Sequence, residues 1–332
     1  MKKTILKICL LLIPILIIYL LLESRLGSVP NMYSKKKEFL ESQLNQVEVL
    51  TTGSSHGDAI NPDTILEKTF TLNQAAQDLY YDTRLVSHYL NRLPKLKLVI
   101  IPISYFSLEY QMDRTKTWTL APYYYHTWRI PPQHWDSWLN LRYFSLSATN
   151  GWEKVMVYLQ NGFKDTEWEI MKPTGWWYQG DIELEDTPHE SEFGQYSVRM
   201  QHLEVMKPER IKENIKLLEE LIRKCQARGV HVALVTTPVH HSYSDFMDPE
   251  RWQATQAVME SLVKQYHVVY KNYLSDARFL DDDFYSRDHV NTRGSIKFSQ
   301  LIDAEIIQPL LLSGGDEFNA CPRVSEKPCM IK

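Results

Sequence analysis

The chain of 332 residues carries almost no net charge, few cysteines and no internal repeat, and each shortage excludes something. A formal charge of −4 with no dense basic patch removes the electrostatic case for a nucleic-acid partner. The four cysteines and eleven histidines show no spacing of the kind that holds a metal, so neither a metal nor any other cofactor is expected. Of the cysteines, Cys225 falls in a helical pattern and reads as buried. Cys321 and Cys329 flank a polar stretch in the tail, and they are either a small disulfide loop or two free thiols. Cys9 sits in an apolar run without the small residues of a lipoprotein cleavage box, and reads as a membrane-facing thiol.

That apolar run is the strongest single signal. Lys2, Lys3 and Lys7 precede an uncharged stretch from Ile8 to Leu22, closed by Glu23 and Arg25. Extended back through Thr4-Ile5-Leu6, with Lys7 snorkelling, it approaches the ~20 residues that span a ~30 Å hydrocarbon core. The Ser24-Arg25-Leu26-Gly27 flank lacks a small-x-small cleavage site, which favours an uncleaved anchor over a signal peptide. Basic residues on the N-terminal side predict a cytoplasmic N-terminus, a single pass through the cell (inner) membrane and an exported body.

Beyond the anchor (1–26) and a juxtamembrane linker and helix (27–46), hydrophobic periodicity predicts one α/β domain over 47–310 and a C-terminal tail over 311–332. Val47-Glu48-Val49-Leu50-Thr51-Thr52 reads as a buried strand running into Gly53-Ser54-Ser55-His56-Gly57. Asn61-Pro62-Asp63 is expected to open a helix, and Phe70 to Asn73 a short strand. A helix begins near Gln74, and Leu96 to Pro102 is a continuous apolar strand of the kind covered on both faces. The alternation resumes with a helix from Pro208 to Cys225, a strand from Val230 to Val235, a helix opened by Asp248-Pro249, a short edge strand at Val268-Val269-Tyr270 and a last helix from about Thr292. The fold class is a three-layer, doubly wound parallel sheet. Between about 109 and 206 the pattern breaks into an aromatic-rich insertion. Eight of the nine Trp lie between Trp118 and Trp177. Most of these rings are expected to pack together, and Trp176-Trp177-Tyr178 reads either as core or as a groove that stacks on sugar faces.

In such a sheet, a serine after the first strand and a histidine before the last helix meet at one edge. Ser55, His289 and a carboxylate from the Asp281–Asp288 loop would supply nucleophile, base and orienting group. His56 serves either as a second base or as a turn residue. His240 and His241, at another strand end, are either exposed loop residues or substrate contacts at the rim.

Gly53-Ser54-Ser55-His56, the stretch from Asn73 to Leu79, and Asp288-His289-Val290-Asn291 with Gly294, Phe298 and Ser299 resemble the SGNH/GDSL hydrolase superfamily. The likeness is greater to its membrane-anchored, exported branch, which includes the D-alanyl transfer protein of lipoteichoic acid synthesis and the alginate O-acetyltransferases. It covers roughly residues 45–105 and 205–305. The resemblance implies Ser55 as nucleophile and His289 as base, with Asn73 and Ala76 or its neighbours at the oxyanion, where the family uses a glycine N–H. The chain departs from the family twice. Ser286 stands three residues before the histidine, where the family has its triad Asp, so Asp288 or Asp283 must substitute. Ile103-Ser104-Tyr105 replaces the third-block Asn, with Ser104 as the substitute donor. The implied activity is that of an O-acyltransferase or esterase on a cell-surface polysaccharide, with a membrane acyl-donor protein as a potential partner. The alternative is a glycan-binding or assembly protein that keeps the fold without the reaction.

Overall fold

The computed structural model describes residues 2–134, 144–177 and 190–312. Its centre is a five-stranded, wholly parallel sheet in the order β2-β1-β3-β4-β5, formed by β1 (Val49–Thr51), β2 (Thr69–Thr71), β3 (Leu98–Pro102), β4 (His231–Thr236) and β5 (Val269–Asn272). Strand residues alternate between two cores. Leu50, Phe70, Val99, Ile101, Val232 and Leu234 face one apolar layer. Val49, Leu98, Ile100, Ala233 and Val235 face the other. Because both faces are covered, β1, β2 and β3 are buried along their whole length, which explains their unbroken apolar and β-branched runs. The α/β three-layer class expected from the sequence is the one observed.

The chain enters through α1 (Lys2–Gly27), whose 26 residues span about 39 Å. The stretch Leu10–Gly27 is long and apolar enough to cross a membrane, and only 6% of it is buried. Its end is no loose linker. Leu26 and Val29 are buried against α5 (Leu146–Gln160) through Leu146, Val155 and Tyr158. Glu23 accepts the N–H groups of Leu146 (2.8 Å) and Ser147 (3.1 Å), capping that helix. The juxtamembrane helix α2 (Met32–Glu41) follows, capped by Asn31.

One layer is built from α3 (Leu79–Tyr89), α7 (Ile211–Gln226) and α9 (Pro249–Tyr266), and the other from α10 (Thr292–Ile302) with the turn that leads into α11 (Gln308–Leu312). The short α8 (His241–Ser244) follows β4, and the hairpin of β6 (Phe284–Ser286) and β7 (His289–Val290) precedes α10. Two local expectations differ from what forms. Asn61-Pro62 caps only one 3-10 turn, Pro62–Thr64, because Thr69 pairs into the sheet five residues later. The helix expected from Gln74 starts at Leu79, capped by Asp78, since residues 74–77 form an irregular loop.

The insertion contributes α4 (Ala121–Trp128), α5 and α6 (Glu190–Met200), and its rings merge with the main core. Tyr123 stacks on Tyr33 at 5.0 Å, Tyr124 on Tyr81 at 4.0 Å, and Trp128 Nε1 donates to the Tyr89 hydroxyl. Trp176 is 3% exposed and donates its indole N–H to the Asp58 carbonyl, which overturns its reading as a sugar-stacking ring. Helix α6 approaches α8 so closely that a Cβ on Gly194 would stand 1.6 Å from the Ser242 carbonyl oxygen. Tyr178, the Cys9 side chain, and Cys321 and Cys329 lie outside the described residues.

Candidate active site

Strand β1 ends at the carboxyl edge of the sheet, beside the point where the strand order reverses between β1 and β3. Gly53 makes the turn with φ +120°, a left-handed backbone that glycine adopts without strain. Its N–H is held by the Asp82 carboxylate at 2.8 Å, which also accepts from Thr52 Oγ1 and Gln77 Nε2 at 2.6 Å each. Burial raises the Asp82 pKa to about 6 against these donors. This clamp fixes the turn that presents Ser54, Ser55 and His56.

Ser55 Oγ lies 2.8 Å from His289 Nε2, and Nδ1 of the same ring lies 2.8 Å from Asp288 Oδ1. The hydroxyl donates to Nε2, and Nδ1–H donates to the carboxylate. Asp288 sits in the two-residue turn between β6 and β7, where the chain reverses, so its side chain folds back onto its neighbour instead of diverging from it. Ser286, at the position where the resembling family carries Asp, donates to Asp288 Oδ1 and lies 3.1 Å from His289 Nδ1. Burial opposes charge on both partners. For Asp288 the two adjacent imidazoles overcome that penalty and hold the carboxyl well below its ordinary range. For His289 the Asp288 carboxylate outweighs burial and raises the imidazole above its usual value. The carboxylate is therefore anionic, and the base is strengthened.

His56 is 4% exposed and stands edge-on to both His289 and Phe106. Its Nε2 faces Asp288 Oδ2 at 3.4 Å and its Nδ1 lies 2.9 Å from Ser104 Oγ. A carboxylate only accepts, so Nε2 carries the proton and the Ser104 hydroxyl donates to Nδ1. Burial lowers the pKa of this imidazole. The donor atoms of His56, Asp288 and His289 lie within 4.8 Å of one another. The carboxylate between the two rings already satisfies the trio.

Ala76 adopts φ +54°, the left-handed conformation that costs a residue with a Cβ about 1–2 kcal/mol, at the place where the family it resembles uses a glycine. The Tyr110 hydroxyl donates to its carbonyl at 2.8 Å. Among the described residues, no acceptor is seen for the Ser55 and Ala76 N–H groups. Both residues border an open pocket of about 300 Å³ that also includes Phe106, Tyr110, Gln201, Val205 and His289. The insertion supplies the far wall through the π-helical turn after α6, and Lys116 pairs with Glu204 at 2.9 Å beside it. A larger cavity of about 390 Å³ lies at the amino edge of the sheet, by the starts of β4 and β5, away from Ser55.

Other expected site residues are placed elsewhere. Asn73 is 1% exposed and consumed by structure: its Nδ2 donates to Asp58 at 2.5 Å, Thr71 donates to its Oδ1, and the buried Lys36 donates to its carbonyl. Ser104 is not aimed at an oxyanion, because its hydroxyl is spent on His56. His240 is buried, bonded to Ser242 and Asp281, and lines a separate cleft. Its main-chain N–H donates to the Arg287 carbonyl, so it supports the His289 hairpin from behind. Asp283 is fully buried and pairs with Lys297 and Arg293, which leaves Asp288 as the carboxylate at His289. Asp82 and Lys36 have no sequence signal of their own: one lies in a helical pattern, the other in a basic helix that looks like a solvated face.

No family model and no curated protein matches the chain. Among solved structures, it is similar to a Bacteroides fragilis protein assigned as an acylhydrolase (10% identity, TM-score 0.40), covering 84% of this chain and 94% of that one. It is likewise similar to a GDSL-like lipase from Bacteroides thetaiotaomicron (10% identity, TM-score 0.40), covering 85% of this chain and 99% of that one.

Proposed function

We propose that this protein is a membrane-tethered serine esterase or O-acyltransferase of the SGNH/GDSL kind, acting on an acyl ester of a cell-surface polysaccharide. The observation that carries the reading is the continuous line Ser55 Oγ–His289 Nε2 and His289 Nδ1–Asp288 Oδ1, each contact 2.8 Å. His289 Nε2 takes the Ser55 proton as the oxygen attacks the ester carbonyl, and the anionic Asp288 stabilises the imidazolium that forms. The N–H groups of Ser55 and Ala76 receive the oxyanion, a contribution of about 3 kcal/mol per donor. His289 then returns the proton to the departing alkoxide, leaving an acyl-Ser55 ester. Water or an acceptor hydroxyl, deprotonated by the same Nε2, releases the acyl group. The exported, cell-surface setting is supported by the apolar α1 with its basic N-terminal flank. A membrane protein that donates acyl groups is the partner a transferase of this topology would require. The glycan-binding alternative, which the Ser286 departure favours, loses Trp176 as a sugar-stacking ring, because that side chain is buried.

The detergent-solubilised protein is expected to hydrolyse an aryl acetate and an acetylated polysaccharide, and Ser55→Ala to abolish both. Hydrolysis by the Ser55→Ala variant at the wild-type rate would refute the assignment.

A further inference from the structure

The two places where this chain departs from the family it resembles, Ser286 and Ser104, both bond into one line of polar side-chain contacts. It runs from Ser104 Oγ to His56 Nδ1 (2.9 Å), His56 Nε2 to Asp288 Oδ2 (3.4 Å), and Asp288 Oδ1 to His289 Nδ1 (2.8 Å), ending at Ser55. We propose that His56 is a positioning residue of the reaction. It holds the second oxygen of Asp288 so that a carboxylate adjacent in sequence to the histidine can serve as its orienting group.

Asp288 occupies a two-residue turn, and its side chain is part-exposed at 23%. A carboxylate at such a turn has water as a ready competitor for its lone pairs. Two protein donors remove that freedom. Ser286 binds Oδ1, the oxygen that His289 uses, at 3.1 Å. Only His56 reaches Oδ2 among the described residues. His56 can act as an anchor because it is itself immobile: 4% exposed, fixed through Nδ1 by Ser104, and packed edge-on against Phe106 at 5.3 Å. It can act as a donor because burial keeps the ring neutral, with its single proton on Nε2. Its position next to Ser55 in sequence is the reason the anchor and the nucleophile move as one turn. The charged groups near His289 are Asp288 from the hairpin and Asp58 from the turn after β1, with neutral His56 between turn and hairpin. Asp58 is engaged by Asn73, so Asp288 is the group whose placement responds to His56.

This role rests on the triad reading, but its test does not need turnover. In the full-length protein, histidine-selective 15N NMR follows the titration of His289 in wild type, His56→Phe and His56→Gln. Phe fills the space beside Phe106 without a donor, and Gln restores an N–H at the same reach. His56→Phe is expected to move the His289 titration to lower pH, with His56→Gln near wild type. In ester hydrolysis, kcat of His56→Phe is expected to fall about 100-fold, the cost of a mis-set catalytic group. Its KM should stay within twofold, and the acid limb of kcat should shift to lower pH. If His56→Phe fails to fold, Ser104→Ala, which frees His56 without removing it, should produce the same shifts at smaller amplitude. An unchanged His289 titration in the folded variants overturns the proposal whatever the activity. A wild-type protein without esterase activity that still shows the titration shift would refute the esterase reading and leave the positioning role standing.

Discussion

Replacing Asp288 by Asn is the perturbation that bears most heavily on the electrostatics of the site. The carboxylate contacts His289 Nδ1 at 2.8 Å, so its charge lies about 4 Å from the centre of the imidazolium that forms during reaction. At an effective dielectric of about 20, that separation is worth about 4 kcal/mol, or roughly a 10³-fold change in rate. Asn also offers its amide N–H toward Nδ1 and so favours the wrong tautomer, which in serine hydrolases of known mechanism brings the loss near 10⁴-fold. The pH dependence has a definite sign. A base acts only when neutral, so kcat/KM is low below the His289 pKa and reaches its plateau above it. In the wild type that limb lies above the ordinary histidine value, because Asp288 outweighs burial. Without the Asp288 carboxylate only Asp58, the smallest of the raising influences, still opposes burial, and the limb moves to lower pH. The assay is aryl acetate hydrolysis by the solubilised protein between about pH 5 and 9. An Asp288→Asn enzyme within threefold of wild type, with its acid limb unmoved, would refute the argument.

Two further predictions concern the scaffold. Lys36 is buried and its pKa is pushed down to about 8 by burial, so between about pH 8 and 10 the unfolded chain binds a proton that the folded chain does not. Folding stability therefore rises with pH across that window. Lys36→Met should remove up to about 3 kcal/mol of this pH dependence, read as the difference between the two proteins in denaturant titrations. Trp176→Ala should lower stability by about 3–5 kcal/mol, because it empties a core site and removes the indole donor to the Asp58 carbonyl. A Trp176→Ala protein of wild-type stability would contradict the packing described.

The sheet was legible from sequence because a strand covered on both faces has no alternative to a continuous apolar run, as at Leu98–Pro102. The meeting of Ser55 and His289 is readable from sequence because the turn after the first strand and the segment before the last helix lie at one edge of such a sheet. The carboxylate is not. Whether Asp283 or Asp288 faces the imidazole depends on two turns: the one between β6 and β7 folds Asp288 back, and the 3-10 turn Asp281–Asp283 before β6 places Asp283 on Lys297. Asn73, which the resemblance puts at the oxyanion, and His240, which reads as an exposed loop residue or a rim contact, instead satisfy buried partners, Asp58 and Ser242 respectively. Most rings of the aromatic insertion pack, as their composition suggests, but they do so against the main core, as Tyr123 does on Tyr33.

The central claim is that Ser55 is an activated nucleophile, and the most direct measurement is its modification by a fluorophosphonate followed by intact mass and peptide mapping. The account predicts one adduct per chain, on Ser55, with a rate that follows the neutral fraction of His289 and is lost in Ser55→Ala and strongly slowed in His289→Ala. An unlabelled wild-type protein, or an adduct that persists in Ser55→Ala, would contradict it.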